Sequence, residues 1–501
     1  MNPLTRRTFL QAAAATSAAA QTGSRPNILF LMADQYRFDC LGANGNRIIH
    51  TPNLDRLAAQ SANFTNAYVQ APVCVPSRVS YFTGRYPHSH KNRVNYTPCD
   101  PAEVFLQRML KDAGYQTGSV GKLHLHPATA EQARSTGFDR VLLHDAHPST
   151  DADSDYVKWR REHDPDWQRP YTAVAKDIVP GKNPFRSPMP YEYTATHWTG
   201  EQTCSMLRDF ASSTKPFFLF SSFFKPHSPF DTPVPYDTMY DAVNIPLPHP
   251  TTLADIQRMP LPMQKLLLRN ERRPEYTIEP DRLEWMYRCY YASCTMVDHE
   301  IGRILEELER SGKANNTIVL FGTDHGAQLL EHGLMDKNVF FESSVHVPFL
   351  LRYPGQIAPG RRDDFVEMID LVPTLLDFGG LTVPKRVEGR SFARGANGRE
   401  MVFSENIIPE INTGGAMDMP FVPGKGVAGI RHPDAKMVRT RRWKLNYYPG
   451  NGVELYDLVN DPGEQINVAA ANPPTVAELK SALLEWMVTA DENDQIAEHW
   501  M

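Results

Sequence analysis

The sequence predicts an α/β fold: a large mixed, mostly parallel sheet sandwiched by helices, with a smaller C-terminal α+β domain containing an antiparallel sheet. Three observations carry that prediction. Apolar runs of strand length are continuous rather than alternating, which suits strands buried on both faces of a parallel sheet. Helix-like segments alternate with these runs along the chain. After about residue 386 the pattern changes to period-2 alternation, as antiparallel strands require. At 501 residues the chain is also too long for one small core.

The elements follow in order. Residues 1–24 read as a targeting segment, with Thr5-Arg6-Arg7-Thr8-Phe9-Leu10 as a twin-arginine pattern before an alanine-rich stretch. This predicts export of a folded protein to the periplasm or beyond. The stretch is too short and too weakly apolar to span a bilayer, and no other run is long enough. The remaining chain divides into a catalytic unit over 25–385 and a subdomain over 386–501. The first strand is Pro26 to Met32, ending at Ala33-Asp34-Gln35. Thr51-Pro52 reads as a helix start, with Thr51 as N-cap and proline at N1.

The same grammar recurs three times. The run from Tyr115 to Gly121 leads to Lys122 and His124, and Pro216 to Phe220 leads to Lys225, Pro226 and His227. Thr317 to Phe321, preceded by the helix-like Ile301–Leu308, leads to Asp324-His325-Gly326. Residues 145–195 and 228–281 are aperiodic and rich in Pro, Asp, Arg and Tyr, which reads as insertions over a binding edge. Strands are expected at 401–404, 436–440, 443–448 and 454–458, with an amphipathic helix over 476–488.

Charge and cysteine content exclude several classes. A net charge of −6 argues against a nucleic-acid or anionic-membrane partner. Arg439, Arg441, Arg442 and Lys444 do cluster, and read equally well as a solvated strand face. The six cysteines show no CxxC or zinc-ribbon spacing. With Cys74 set aside, at most two bridges could form.

Polar residues fall where chemistry is expected. Asp34, Lys122, His124, His227, Asp324 and His325 all lie just past the downstream ends of apolar runs, the edge at which open α/β sheets bind ligands. Asp34, Gln35 and Asp324 offer two carboxylates and an amide oxygen, a hard donor set that favours Ca²⁺ or Mg²⁺ over zinc. Pro76 and Ser77 suit a helix start after Cys74, whose amides would favour an anion.

Cys74-Val75-Pro76-Ser77-Arg78, with Thr83-Gly84-Arg85 downstream, resembles the signature of type I sulfatases, members of the alkaline-phosphatase-like superfamily. The resemblance extends through Gly121-Lys122-x-His124, Lys225-Pro226-His227, Thr323-Asp324-His325-Gly326, Glu331-His332-Gly333-Leu334 and Lys337 to Glu454–Leu458 with Asp461-Pro462 and Glu464. It implies that a maturation partner, a formylglycine-generating or anaerobic sulfatase-maturing enzyme, converts Cys74 to Cα-formylglycine, whose hydrated aldehyde attacks sulfur. It implies Asp34, Gln35, the converted Cys74, Asp324 and His325 as metal ligands, and Arg78 as the residue stabilising the diol. Gln35 departs from the pattern, since many members carry a second aspartate there. Lys122 and Lys337 would contact sulfate oxygens, His227 would protonate the leaving alcohol, and His124 would deprotonate the diol. His88 and His90 read as supporting or surface residues.

The expected activity is hydrolysis of a sulfate ester, on a sulfated small molecule or saccharide. Lys225 and the basic C-terminal strand are compatible with a sulfated carbohydrate. Choline sulfate would instead want an aromatic cage, which the tyrosine- and tryptophan-rich insertions could supply. The alternatives are a phosphonate monoester or phosphodiester hydrolase of the same superfamily, and a non-catalytic sulfoglycan-binding protein with Cys74 unconverted.

Overall fold

The computed structural model describes residues 25–145, 154–169, 185–268, 280–407 and 434–499. The expected targeting segment over 1–24 and parts of both insertions lie outside the described residues.

The main sheet contains β1 (Asn27–Asp34), β2 (Ala62–Tyr68), β3 (Gln116–Gly121), β4 (Arg140–Leu143), β6 (Phe217–Pro226), β8 (Thr317–Gly322), β11 (Phe349–Arg352) and β12 (Gly360–Glu367). Its order is β12-β2-β11-β8-β1-β6-β3-β4. Only β11 runs against its neighbours. The strands β8, β1, β6 and β3 are adjacent and mutually parallel, so their downstream ends share one edge.

The continuous apolar runs have the predicted cause. Every residue of β1 is buried. Ile28, Phe30 and Met32 enter one core layer, while Leu29, Leu31 and Ala33 enter the other. Helices Cys74–Thr83, Leu106–Asp112 and Leu371–Phe378 cover the first face. Helices Ala195–Ala211 and Pro280–Arg310 cover the second. A strand packed on both faces has no solvent side on which to place polar residues.

The insertions contain short pieces of structure, among them β5 (Phe185–Arg186), paired in parallel with β7 (Asp231–Thr232). β9 (Gln328–Leu329) pairs antiparallel with β10 (Met335–Asp336) close to Lys337. The C-terminal sheet is antiparallel, in the order β13 (Val402–Ile407), β14 (Asp434–Arg439), β15 (Trp443–Tyr448), β16 (Gly452–Asp457). The helix Pro473–His499 buries Leu479, Leu483 and Trp486 against Val438, Leu445 and Leu455, and Tyr86 and Ile369 of the larger unit join that cluster.

Some local expectations change. Thr51 precedes the Pro52–Ala59 helix as predicted, but its hydroxyl does not cap it. Instead it accepts from the Gly42 amide at 3.0 Å and donates to Asp55 at 3.3 Å. The four basic residues form no free patch. Lys444 is fully buried between Glu342 and Glu464, Arg439 faces Glu342, Arg442 pairs with Asp457 and Arg441 with Asp363. All six cysteines are buried thiols, so neither permitted bridge is present. No helix among the described residues is long and apolar enough to cross a membrane.

Candidate active site

Cys74 is the first residue of the Cys74–Thr83 helix, which runs back beneath the sheet with every residue buried. Val73 precedes it in extended conformation and offers no side-chain cap. The Val75 amide donates to Asn95 Oδ1 at 3.0 Å, so the helix start is partly satisfied from within rather than wholly open to an anion. Cys74 Sγ lies 3.1 Å from His325 Nε2. Burial pushes the thiol up, but Lys337, with His325 and Lys122, overcomes it and brings Cys74 down to about 5.

One turn on, the wholly buried Arg78 ties three strand ends together. Nη2 donates to Asp34 Oδ2 at 2.9 Å and Nε to Asp324 Oδ2 at 2.8 Å. Nη1 donates to the Lys122 carbonyl at 2.6 Å and to Ser222 Oγ at 3.2 Å. A surface arginine could not do this, and removing it would leave two buried carboxylates short of a partner. Lys122 Nζ reaches Asp34 Oδ2 at 2.7 Å. Burial alone would raise Asp34, yet Lys122, His227, Arg78 and Lys337 hold its carboxyl well below the usual range.

Asp34, Cys74, Asp324 and His325 bring one ligand atom each within 4.8 Å of one another, the one such group among the described residues. Two further observations fit a divalent cation. Asp34 Oδ1 is buried and has no hydrogen-bond partner among the described residues, a cost the fold would bear only for a partner not made of protein. His325 Nδ1 donates to the Gly326 carbonyl at 2.9 Å, which leaves Nε2 with a lone pair turned into the cluster in the neutral ring. Asp324 Oδ1 is held by the backbone amides of Gln35 and His325, each at 3.1 Å. Gln35, at φ 64, presents Oε1 to Lys337 Nζ at 3.0 Å while its Nε2 donates to Asp336 at 3.2 Å. Because Asp336 can only accept when ionised, it fixes which end of the amide faces Lys337.

Lys337 also donates to His227 Nε2 at 2.9 Å, and His227 Nδ1 bonds the Ser228 carbonyl at 2.6 Å. Burial, followed by Lys337 and Lys122, drives the His227 imidazolium well below its usual range. In the resting site the histidine is therefore neutral, and the proton it shares is the lysine's. His124 is half-buried at φ 51, with Nδ1 lacking a hydrogen-bond partner among the described residues. Burial and Lys122 bring it down to about 3.

All ten predicted site positions therefore occupy the same sheet edge, nine linked by the contacts above and His124 carried beside Lys122 by the same turn. Other features of the signature do not join them. Lys225 is buried and consumed by Asp231 and the Pro229 carbonyl, so it is not available to grip a substrate. His90 bonds Ser80 Oγ at 2.9 Å and His88 bonds Glu405 at 2.7 Å, both away from the cluster. Tyr156 of the first insertion and Trp198 in the helix that follows it are fully buried, so neither ring is open to a ligand.

Sequence reading missed three participants. Phe224 is the one half-buried residue of β6. Its ring lies 4.9 Å from Lys122 Nζ and 5.0 Å from the His227 ring. Asp336 lies in β10, a two-residue strand too short to leave a periodic signal in the sequence. Asp145 follows β4, whose apolar run Val141-Leu142-Leu143 is shorter than those used to find the other strand ends.

A sequence model of the sulfatase family matches residues 26–381. The chain belongs to the sulfatase family. It is 33% identical over 466 residues to an arylsulfatase of Clostridium perfringens, covering 89% of this chain and 90% of the relative. It is 28% identical over 505 residues to the multifunctional alkaline phosphatase superfamily protein PehA of Trinickia caryophylli, covering 93% and 96%. Among solved structures, the phosphonate monoester hydrolase of Agrobacterium radiobacter superposes with a TM-score of 0.77 at 24% identity, over 93% of this chain and 96% of that one. That likeness places the sulfatase in the alkaline-phosphatase-like fold. The sulfatase is a sulfuric ester hydrolase, and membership implies a divalent metal and a formylglycine made from cysteine.

Proposed function

We propose that this sulfatase hydrolyses a sulfate monoester with a nucleophile made from Cys74, beside a Ca²⁺ or Mg²⁺ held by Asp34, Gln35, Asp324 and His325. The observation that carries the reading is the convergence of Cys74, an unpartnered Asp34 oxygen and the Nε2 of His325 on one buried point. Conversion of Cys74 would supply a hydrated aldehyde as an oxygen nucleophile. A hard cation bound there would withdraw charge from the sulfate oxygens.

The chain's own residues do the rest. Arg78 fixes Asp34 and Asp324 and keeps the helix start against the sheet edge. Lys122 and Lys337 are placed to hold sulfate oxygens as point charges. The leaving alcohol takes its proton from the Lys337–His227 pair, which shares one at 2.9 Å. Neutral His124 accepts the proton whose removal resets the nucleophile.

The leaving group we assign is ring-bearing, because Phe224 stands beside both Lys122 and His227. A sulfated sugar and an aryl sulfate both meet that description. The internal pairing of Lys225 and Lys444 withdraws the argument for grip on a polyanionic chain. A second reading, phosphonate monoester hydrolysis, is favoured by the phosphonate monoester hydrolase neighbour. Export by the twin-arginine route and conversion of Cys74 by a maturation enzyme before export complete the proposal.

Two measurements test it. Mass analysis of the Cys74 peptide from active enzyme is expected to show a loss of about 18 Da, the difference between cysteine and formylglycine residues. Unmodified thiol throughout an active preparation would refute the nucleophile. Turnover of sulfated saccharides, an aryl sulfate, choline sulfate and a phosphonate monoester should favour a ring-bearing sulfate. A phosphonate preference of orders of magnitude would replace the main reading with the second.

A further inference from the structure

We propose that Asp145 is a positioning residue that holds His124 in its catalytic placement through the backbone. It extends the reading of His124 given above and depends on it. Asp145 lies two residues past β4, the edge strand next to β3, and so belongs to a fifth strand end turned toward the same site. One oxygen, Oδ1, accepts the amide of Leu123 at 2.7 Å and the amide of His124 at 2.8 Å. Two successive amides converge on one oxygen only where the chain turns sharply.

The turn is costly. His124 sits at φ 51, a left-handed conformation that non-glycine residues seldom adopt. It begins at Gly121, at φ 88, where an added Cβ would meet the Ser222 carbonyl oxygen at 2.1 Å. The Lys122 amide then bonds that same carbonyl at 2.8 Å. From there Lys122 reaches Asp34 at 2.7 Å, and His124, two residues later, lies near enough to Lys122, Arg78 and Asp34 to feel their charges. The imidazole has no hydrogen bond from Nδ1 among the described residues to orient it. Its placement is therefore inherited from the main chain, and Asp145 is what anchors that chain from β4.

The test compares Asp145→Ala, Asp145→Asn, His124→Ala and the Asp145→Ala/His124→Ala double variant on the full-length converted enzyme, with Tm measured for each. D145A is expected to lower kcat about 100-fold with KM changed less than about threefold, the scale of a misplaced catalytic group. D145N, which keeps the Oδ1 acceptor, should stay within about fivefold of the parent. The double variant should be no slower than H124A alone, because Asp145 acts only through His124. Losses that multiply in full in the double variant would overturn the inference, as would a fully active D145A. A loss in D145N as large as that expected for D145A would also overturn it, by showing that charge matters rather than the anchor, and this arm holds even if D145A does not fold. A fully active H124A would remove the role given to His124 and the inference with it. An inactive H124A beside an active D145A would refute the inference alone.

Discussion

Two regions of this molecule bury charge densely, the downstream edge of the main sheet and the seam where the C-terminal sheet meets it, and they treat that charge differently. At the seam, Glu405 is enclosed by Lys436, Arg93, His88 Nδ1 and the His88 amide. Burial raises that carboxyl, and Lys436, Arg93 and His88 together bring it well below its usual range. Donors from both units saturate it, so nothing is left for a ligand. At the sheet edge, Arg78, Lys122 and Lys337 surround two carboxylates, while an Asp34 oxygen has no hydrogen-bond partner among the described residues. Buried charge alone therefore does not mark function. An unpartnered carboxylate oxygen within a cluster of metal-type ligands does.

The comparison can be broken by experiment, in order of effect on turnover. Cys74→Ala should lower kcat by at least about 10⁴-fold, as loss of a nucleophile does, while Tm is kept. Residual activity within tenfold of the parent would mean the reaction does not pass through residue 74. His227→Gln should cost about 10²–10⁴-fold on an unactivated alkyl or sugar sulfate, and markedly less on a nitrophenyl sulfate, whose leaving oxygen needs no proton. An equal loss on both would remove the proton from the role of the Lys337–His227 pair.

Chelation should lower turnover about 100-fold and lower Tm, and Ca²⁺ or Mg²⁺ at 100 times its Kd should return about 2.7 kcal/mol of stability. A Tm indifferent to chelator and cation would contradict a cation at Asp34. Lys436→Met at the seam should destabilise by about 1.5–3 kcal/mol, the loss of one charged donor to a buried carboxylate that keeps its others, with kcat unchanged in the fraction that folds. A kinetic defect at full occupancy of the fold would show that the two regions are coupled.

The smallest effect concerns His90. Its Nδ1 accepts the Asn92 amide at 3.1 Å and its Nε2 bonds Ser80, so the neutral ring is the one that fits. Burial, then Arg85, lowers it to about 3. The unfolded chain takes up a proton near pH 6.5 that the folded chain refuses. Its contribution is thus complete above pH 6.5 and is lost as pH falls toward 3, at up to about 1.4 kcal/mol per pH unit. His90→Gln should flatten the acid side of a Tm-against-pH curve without moving the pH profile of turnover.

Much of the site was legible because the motifs sit at strand ends, and strands buried on both faces announce themselves as uninterrupted apolar runs. Asp34, Lys122, His227 and Asp324 could be placed on one edge for that reason. Asp145 escaped because β4 is short and sits at the edge of the sheet. Asp336 escaped because its neighbour in space, Gln35, is about 300 residues away in sequence. Lys225, Arg439 and Lys444 misled in the opposite sense. Their basic character is visible in the sequence, whereas the carboxylates that neutralise them are brought close only by folding.

The sequence by itself determined the fold class, the order of strands and loops, and the family to which Cys74 points. These depend on apolar periodicity and on residues adjacent in the chain. Only the tertiary structure decided which charges stay open and which are cancelled. It also decided that Arg78 is a buried tie, that Lys337 donates to His227, and that Asp145 anchors the turn carrying His124. Those outcomes depend on pairings between distant segments and on removal from water, and neither is encoded in local spacing.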